Sequence, residues 1–386
     1  MHMQLPPLLT DDQVAVLRQH LADRSVAVSY GAGVDSLGVI LALRAAGIVP
    51  QLLMFADFSN EKKATYAHLD KVRALLKQWG WPAITEVRYR PGAAVRYTDL
   101  VGNCVSNWTM PSLAFGFKGC SAKWKGAPMD GYLTGRSKGP NKRPPHPLFL
   151  ACQASGKRLV RVIGYDASDA DVERAGRVQV RDDDRFEFVY PLHLLGWRRR
   201  DCIDAIVREL GPDMVPVKSA CFLCPGTKPW EICDLAATDP DQLEIALYVE
   251  KNAMTGPHSR YDPADFGGTW LELIESPRLI RSPKKAAVIG LGRDWSWNQF
   301  VRVHGIVDAQ GNVYRTAAAK ERFLRLAAEM RDDDNALDAR CSLVPGPASA
   351  GRSIRIVSQQ ALDLGAIVPS MSPAPARRSA KRRAPR

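Results

Sequence analysis

The chain has 386 residues, 46% of them apolar and 24% charged, and this ordinary globular composition excludes collagen-like, fibrous and wholly disordered classes. A formal net charge of +12, from 53 basic and 41 acidic side chains, favours a polyanionic partner. Residues 340–386, however, hold nine basic side chains and one acidic side chain, so this segment alone carries +8. The +4 that is left on residues 1–339 does not by itself indicate a nucleic-acid-binding protein.

No stretch of the sequence approaches the ~18 uncharged apolar residues of a membrane span, and the first residues do not resemble a secretory signal. We therefore predict a cytoplasmic protein without a membrane partner. In that compartment the eight cysteines are expected to be buried thiols, metal ligands or reactive groups rather than structural disulfides.

Short apolar runs alternate with helical patterns along the first 215 residues. The first strand, 26–29, leads into a glycine-rich turn and then a helix over 35–46, with Leu37, Ile40 and Leu41 on its apolar face. Further strands are predicted at 51–55, 84–89, 158–163 and 186–189, and further helices at 61–79 and 198–210. Strands that alternate with helices predict an α/β fold with a doubly wound parallel sheet.

Beyond residue 215 the strand pattern fades. Helices are predicted at 229–237, 240–252 and 316–330. We therefore divide the chain into an α/β domain (1–215), a mostly helical C-terminal part (216–339) and a disordered basic, low-complexity tail (340–386). The tail could hold nucleic acid electrostatically or serve as a solubilising terminus.

The turn after the first strand predicts a phosphate site. In doubly wound sheets, anions bind where a strand ends and a helix begins. Gly31 and Gly33 allow a tight turn that brings N–H groups close to an anion, and Asp35 and Ser36 can cap the helix. A plain strand-to-helix turn is the alternative. The stretch from Arg136 to Arg161, with seven basic residues and no acid, is either a solvated loop or a grip on the phosphates of a substrate.

The pair Cys221-x2-Cys224 is a candidate metal site, because two thiolates at this spacing can face one metal from a tight turn. One pair does not complete a site, and cysteine ligands alone do not separate an iron–sulfur cluster from zinc. A structural turn without metal is the third alternative. Cys233 lies in a helical stretch and is expected to be a buried small residue.

Residues 31–36, GAGVDS, resemble the PP-loop of the ATP pyrophosphatase superfamily, Ser-Gly-Gly-x-Asp-Ser. Gly31 replaces the first serine of that motif and Ala32 its middle glycine. The resemblance implies that Gly33, Asp35 and Ser36 grip the pyrophosphate, while the hydroxyl of the missing serine comes from Ser29 or is absent.

Later segments resemble the phosphoadenylylsulfate (PAPS) reductase-like family, which has the adenine nucleotide alpha-hydrolase-like fold. The resemblance covers about residues 24–236, and Asp166 departs from it by replacing an arginine after Gly164. The matched residues are Asp57, Glu61, Thr65, Cys120, Lys125, Pro128, Gly164, Pro191, Leu192, Trp197, Asp201 and Ile203.

The resemblance implies a set of cofactors and site residues. Cys120 would join Cys221 and Cys224 in holding a [4Fe–4S] cluster with one open iron, with Cys104 as a candidate fourth ligand and zinc as the rival metal. ATP and Mg²⁺ would bind at the first loop, with Asp35 and Lys125 as catalytic residues. The nucleotide-binding residues would be Ser29, Gly31, Gly33, Asp35, Ser36, Asp57, Phe58 and Gly164.

The resulting prediction is an enzyme, a PP-loop ATP pyrophosphatase of the sulfurtransferase type. It would cleave the α–β phosphate bond of ATP, adenylylate a substrate and transfer sulfur, with a nucleic acid as candidate acceptor and a sulfur-donor protein as candidate partner. One alternative is a phosphoadenylylsulfate or adenylylsulfate reductase, although the Glu-Cys-Gly-x-His motif is missing and Cys341 is the only late cysteine. The other is a non-catalytic, nucleotide-binding, DNA-associated module, which the residues Gly31 and Ala32 favour.

Overall fold

The computed structural model describes residues 6–92, 94–111, 119–136, 142–179, 184–256, 269, 290–292 and 295–342, with side chains left out at 177–179 and 333–342. The chain divides into two compact units, Met1–Ala328 and Glu329–Arg386. Of the second unit, only the end of the last helix is described. Most of the predicted basic tail, from residue 343 onward, lies outside the described residues.

The strands of the described chain are β1 (Val26–Ser29), β2 (Leu52–Ala56), β3 (Ile84–Val87), β4 (Leu159–Ile163) and β5 (Phe186–Val189). The helices of the first half are α1 (Asp11–Leu21), α2 (Val34–Ala45), α3 (Lys63–Gln78), α4 (Leu100–Ser106), α5 (Gly119–Ser121), α6 (Ala127–Thr134) and α7 (Pro147–Ala154). Those of the second half are α8 (Asp169–Gln179), α9 (Pro191–Leu195), α10 (Arg199–Leu210), α11 (Pro229–Thr238), α12 (Pro240–Thr255), α13 (Trp297–Val303) and α14 (Ala317–Ser342). A π-helical turn, Ala122–Gly126, joins α5 to α6.

The five strands form one parallel sheet in the order β3-β2-β1-β4-β5. The chain builds outward from β1 through β2 to β3, and then returns across β1 to add β4 and β5. The strand order therefore reverses between β1 and β4, and ligands of open α/β sheets bind at the carboxyl ends of the strands at such a point. The predicted α/β fold with a doubly wound parallel sheet is confirmed.

Side chains alternate between the two faces of the sheet, and both faces are covered. In β1, Val26 and Val28 belong to the apolar cluster on one face and Ala27 belongs to the cluster on the other. The first cluster includes side chains of α1, α2, α3, α9 and α10, and the second includes side chains of α6 and α7. Burial on both faces explains why these strands are continuous apolar runs.

Several boundaries differ from those predicted. Helix α3 begins at Lys63 rather than at residue 61, because Glu61 forms an antiparallel bridge with Cys221. Helix α1 was not predicted, although Thr10 and Gln13 form the capping box that announces it. Helices α4, α6, α7, α8, α9 and α13 were also not predicted.

Candidate functional site

The glycine-rich loop lies at the carboxyl end of β1, beside the point where the strand order reverses. Gly33 is the N-cap residue of α2, and the first helical hydrogen bond runs from the Leu37 N–H to the Gly33 carbonyl at 3.0 Å. The N–H groups of the first turn therefore point beyond the helix end. Ser36 Oγ accepts from the Gly33 N–H and donates to the Gly33 carbonyl, which holds the loop closed. The arrangement suits an anion.

Two backbone features shape this loop. Ala32, which stands for the middle glycine of the PP-loop motif, has φ +53°, a left-handed conformation that side chains disfavour. Gly164, just past the end of β4, lies so close to the loop that an added Cβ would stand 2.9 Å from both the N and Cα atoms of Ser36. Only glycine allows this approach, and it brings the predicted residue Gly164 to the glycine-rich loop.

The carboxylate of Asp35 is paired with an arginine that the sequence did not indicate. Arg199, at the start of α10, places Nη2 2.6 Å from Asp35 Oδ2 and Nε 3.3 Å from Oδ1. The hydrogen bond that Arg199 donates to Asp35 is the main cause of a raised pKa of Arg199, so the guanidinium stays charged. Asp166 accepts a hydrogen bond from the Arg199 backbone N–H at 3.2 Å and thereby fixes the start of the helix.

Three other predicted nucleotide-binding side chains have partners of their own. Ser29 Oγ accepts a hydrogen bond from Arg161 Nη2 at 3.1 Å, and Arg161 is a buried residue of β4 that also pairs with Asp130. Asp57 is buried, and its carboxylate accepts from the Ser59 N–H, the Tyr66 hydroxyl and Arg88. Phe58 is buried beneath Lys125, whose Nζ is 4.8 Å from the ring centroid. Direct contacts of these residues with a nucleotide stay predictions.

The Cys221–Cys224 segment forms a turn that is hydrogen-bonded to the loop after β2. The Cys224 N–H donates to the Cys221 carbonyl at 3.1 Å, and the Phe222 N–H donates to the Asn60 carbonyl at 3.2 Å. Cys224 Sγ accepts the N–H of Gly226 at 3.4 Å. Buried Glu231 anchors this segment by accepting from Lys218 and Lys62. Burial alone would raise the pKa of Glu231, but the two lysines outweigh it and hold that pKa low.

Cys221 interacts with two of the other predicted thiols, Cys224 and Cys120. A hydrogen bond with Cys224 and burial, followed by the charges of Cys224, Glu61 and Cys120, raise the pKa of Cys221 well above its ordinary value. Burial is likewise the main cause that raises the pKa of Cys104 to about 12, with a further contribution from Cys120. Without a metal or another cation, these buried thiols are therefore expected to stay protonated at neutral pH.

Lys125 and Glu61 form an ion pair that interacts with the thiols of Cys221 and Cys224. Lys125 Nζ is 2.9 Å from Glu61 Oε1, while Glu61 is fully buried and its Oε2 has no hydrogen-bond partner among the described residues. Burial would lower the pKa of Lys125, but Glu61, Cys221 and Cys224 outweigh it and raise that pKa. The π-helical turn, a feature frequent at functional sites, carries Lys125 within the same continuous helical run as Cys120.

A cavity of about 360 Å³ lies beside this cluster. Its walls include the thiols of Cys104 and Cys120, the indoles of Trp108 and Trp124, and Lys123. Lys123 Nζ is also 5.1 Å from the Trp124 ring centroid. Aromatic walls with a nearby cation suit a flat, polar or anionic ligand.

The cysteine sulfurs are of the type that binds zinc and iron–sulfur clusters, but they are not spaced as the ligands of one metal site. Cys120, Cys221 and Cys224 interact electrostatically, and soft thiolates are the ligands that zinc and iron–sulfur clusters use. Across the part of the chain that the structure describes, however, no three His, Cys, Asp or Glu side chains are grouped as a metal site. A cluster or zinc at these cysteines is therefore a matter of proposal.

The chain matches no protein-family model and no curated protein sequence. Among solved structures it is similar to the PAPS reductase from Candida auris in its phosphate complex, at 15% identity and a TM-score of 0.32, over 53% of this chain and 80% of that chain. It is also similar to the U34-tRNA thiolase NcsA from Methanococcus maripaludis with its [4Fe-4S] cluster, at 13% identity and a TM-score of 0.33, over 63% and 78%.

The parallel sheet and the position of residues 31–36 at its switch point are what the resemblance implied. At such identities and TM-scores, the two matches say only what the chain is similar to. None of the described helices of this protein is both long and apolar enough to cross a bilayer.

Proposed function

We propose that the protein is a PP-loop enzyme that binds ATP at residues 31–36, adenylylates a substrate and then transfers sulfur to it through Cys120, Cys221 and Cys224. One observation carries this proposal. An added Cβ on Gly33 would lie 2.5 Å from Ser219 Oγ, so the phosphate loop touches the segment that leads, two residues later, into Cys221. A nucleotide-binding loop that lies against the segment before Cys221 can act in succession with the thiols on one substrate.

In the first step, an oxygen of the substrate attacks the α-phosphorus of ATP. The bond between the α-phosphorus and the bridging oxygen breaks, and pyrophosphate leaves. The N–H groups at the start of α2 stabilise the negative charge that develops on the phosphates. Asp35 is the proposed ligand of Mg²⁺, which when bound supplies charge neutralisation for the phosphates.

In the second step, a sulfur nucleophile replaces the activated oxygen, and AMP leaves with that oxygen. The sulfur comes from inorganic sulfide, which displaces AMP directly, or from the persulfide of a donor protein. In the second case the outer sulfur of the persulfide displaces AMP, and a further thiol then cleaves the S–S bond between substrate and donor, so that the thiolated substrate leaves and the two thiols end as a disulfide. Lys125, predicted as a catalytic residue, pairs with buried Glu61, and the charges of Cys221 and Cys224 contribute to its raised pKa. Its cationic Nζ would favour the thiolate forms that bind metal and sulfur.

The proposed holder of the sulfur is a [4Fe–4S] cluster on Cys120, Cys221 and Cys224, with Cys104 as candidate fourth ligand and zinc as the rival metal. Burial raises the pKa of Cys221 and Cys104, so metal binding to these two thiols would release protons and loading should be favoured by rising pH. The cavity beside Cys104 and Cys120 is the proposed entry of the acceptor. The partly exposed indole of Trp108 would stack on a nucleobase, which makes nucleic acid the proposed acceptor class.

The cluster is tested by anaerobic purification with iron and sulfide analysis. We expect a brown protein that absorbs near ~400 nm and loses both iron and colour in Cys221→Ala. Cys233→Ala is the matched control, because Cys233 is a buried thiol in α11. A colourless wild type that contains zinc would replace the cluster with zinc, and a metal-free wild type would remove the relay.

The ATP reaction is tested by identifying the released product. Pyrophosphate release that Asp35→Ala abolishes would support adenylylation, whereas release of phosphate would contradict it. Sulfite formation from adenylylated sulfate would favour the reductase alternative. ATP binding without turnover, in the presence of sulfide and RNA, would favour the non-catalytic module.

A further inference from the structure

The contact between Asp35 and Arg199 is unequal in its exposure to solvent. The Asp35 side chain is 13% exposed, whereas the Arg199 side chain is 54% exposed. The carboxylate is thus held within the loop, and the guanidinium reaches it from the solvent side. A half-exposed ion pair of this kind contributes little to stability, so Arg199 can leave Asp35 at small cost.

The backbone at Arg199 is held firmly, although its side chain is exposed. Helix α10 packs closely on α2, since an added Cβ on Gly38 would lie 2.7 Å from Cys202 Sγ. The Arg199 N–H also donates to Asp166 Oδ2 at 3.2 Å. A fixed backbone with a long side chain can place the guanidinium at more than one position near the loop without any movement of the helices.

The charges around the loop make a cation necessary for anion binding. Asp166 and Asp171 also act electrostatically on Arg199. With Asp35, they make three carboxylates in this region. Asp171 is itself paired with Arg174 at 2.9 Å. A polyphosphate that approaches the N–H groups of α2 would be repelled by Asp35 unless a cation offsets that charge.

The geometry points to Arg199 as an exchangeable counter-ion of the phosphate loop. It pairs with Asp35 in the absence of nucleotide and pairs with the pyrophosphate portion of ATP when the nucleotide binds. Asp35 is then released to act as a ligand for the divalent cation. This inference rests on the proposed ATP site at residues 31–36, and it assigns Arg199 a role in binding rather than in the structure of the loop.

The inference makes an unusual prediction: removing the two partners has opposite effects. If Asp35 competes with the ligand for Arg199, then Asp35→Asn should strengthen the binding of inorganic pyrophosphate without a divalent cation. Arg199→Ala should weaken it, and Arg199→Lys should restore part of the loss, because lysine keeps the charge but not the fork. A pair with only a structural role would give the same sign for both variants.

The experiment is calorimetric titration of the full-length protein with inorganic pyrophosphate in EDTA. We expect Arg199→Ala to weaken binding ~10-fold or more and Asp35→Asn to tighten it several-fold. The matched control is Arg200→Ala, because Arg200 is the next residue, is 81% exposed and pairs with Asp204 instead. Its affinity should stay within about twofold of wild type, and thermal melting of each variant checks that it is folded.

Repeating the titration with ATP and Mg²⁺ should reverse the sign for Asp35→Asn, which then loses affinity because the metal ligand is gone. A wild type that binds neither ATP nor pyrophosphate would contradict the proposed ATP site. A wild type that binds, with Arg199→Ala equally tight or with Asp35→Asn weakened as much as Arg199→Ala in EDTA, would overturn the counter-ion role alone.

Discussion

At the scale of single residues, the loop at residues 31–36 tolerates few substitutions, because there is little space around its backbone. Gly164 meets the backbone of Ser36, and backbone atoms cannot swing aside as the end of a long side chain can. Ala32 accepts a left-handed conformation within the same loop. The loop is therefore held by close contacts that a single methyl group can disturb.

Gly164→Ala is expected to lower the free energy of unfolding by about 1–3 kcal/mol, as overpacking does, and to weaken nucleotide binding. Gly176→Ala is the control: an added Cβ there meets nothing within 4 Å, and Gly176 lies within α8. Alanine in that helix should raise stability by about 0.5–1 kcal/mol. Urea unfolding of both variants decides the matter, and equal effects would contradict the close approach at Gly164.

The pair of Glu61 and Lys125 gives a second prediction at this scale. Lys125→Met leaves the fully buried Glu61 without its cation, and breaking a buried pair costs about 3–5 kcal/mol. Lys125→Met combined with Glu61→Gln should recover much of that loss in urea unfolding. Additive losses in the double variant would show that the two residues are not energetically coupled.

At the scale of elements, helix α3 supports the phosphate loop through His68. Its Nε2 lies 3.4 Å from the hydroxyl of Tyr30, the buried residue that directly follows β1. Burial, with the charge of Lys71 in second place, lowers the pKa of His68 from 6.5 to about 4. The imidazole is therefore neutral in the folded protein at pH values where it is charged in the unfolded chain.

The sign of the pH dependence follows from this difference. Between pH 6.5 and 4 the unfolded chain binds a proton at His68 that the folded protein does not, so stability falls as the pH falls. The loss over this window is about 3 kcal/mol. Unfolding of wild type and His68→Gln at a series of pH values checks it, and the variant should show the smaller decline. Parallel curves would contradict the buried, neutral imidazole.

The elements also show how much of the structure could be predicted from the sequence. Strand β1 and the turn into α2 were predicted from neighbouring residues, because apolar runs and glycines act locally. Arg199 was missed since its partner Asp35 lies 164 residues away in the chain, and no local pattern joins them. Glu61 was matched by resemblance but assigned to a helix, because its pairing with Cys221 is also distant in sequence.

At the scale of the whole molecule, the positive charge is concentrated at the C-terminal end. Residues 371–386 hold six basic side chains and no acidic one. Within 136–161, in contrast, the described Arg161 is buried and paired with Asp130, and so is not available to an outside anion. Because residues 340–386 carry +8 of the net charge of +12, electrostatic attraction of nucleic acid is expected to depend on the tail.

Deleting residues 371–386 should weaken retention of RNA or DNA and flatten its dependence on salt. Each phosphate contact that is lost reduces the slope of log K against log[salt] by about 0.7 on single strands and about 0.9 on duplex DNA. Fluorescence anisotropy over a series of salt concentrations measures the slope. An unchanged slope would show that the tail is a solubilising terminus, and ATP binding should be equal in both proteins.

The contact between Gly33 and Ser219 has a thermodynamic consequence. If a nucleotide at the loop shifts the Cys221 segment, then occupancy of one site changes the free energy of events at the other by the same amount in both directions. ATP should then change the metal affinity of the thiols by some factor, and metal loading should change ATP affinity by that same factor. The two halves of the proposed reaction would thus be coupled in their occupancy without any separate regulatory site.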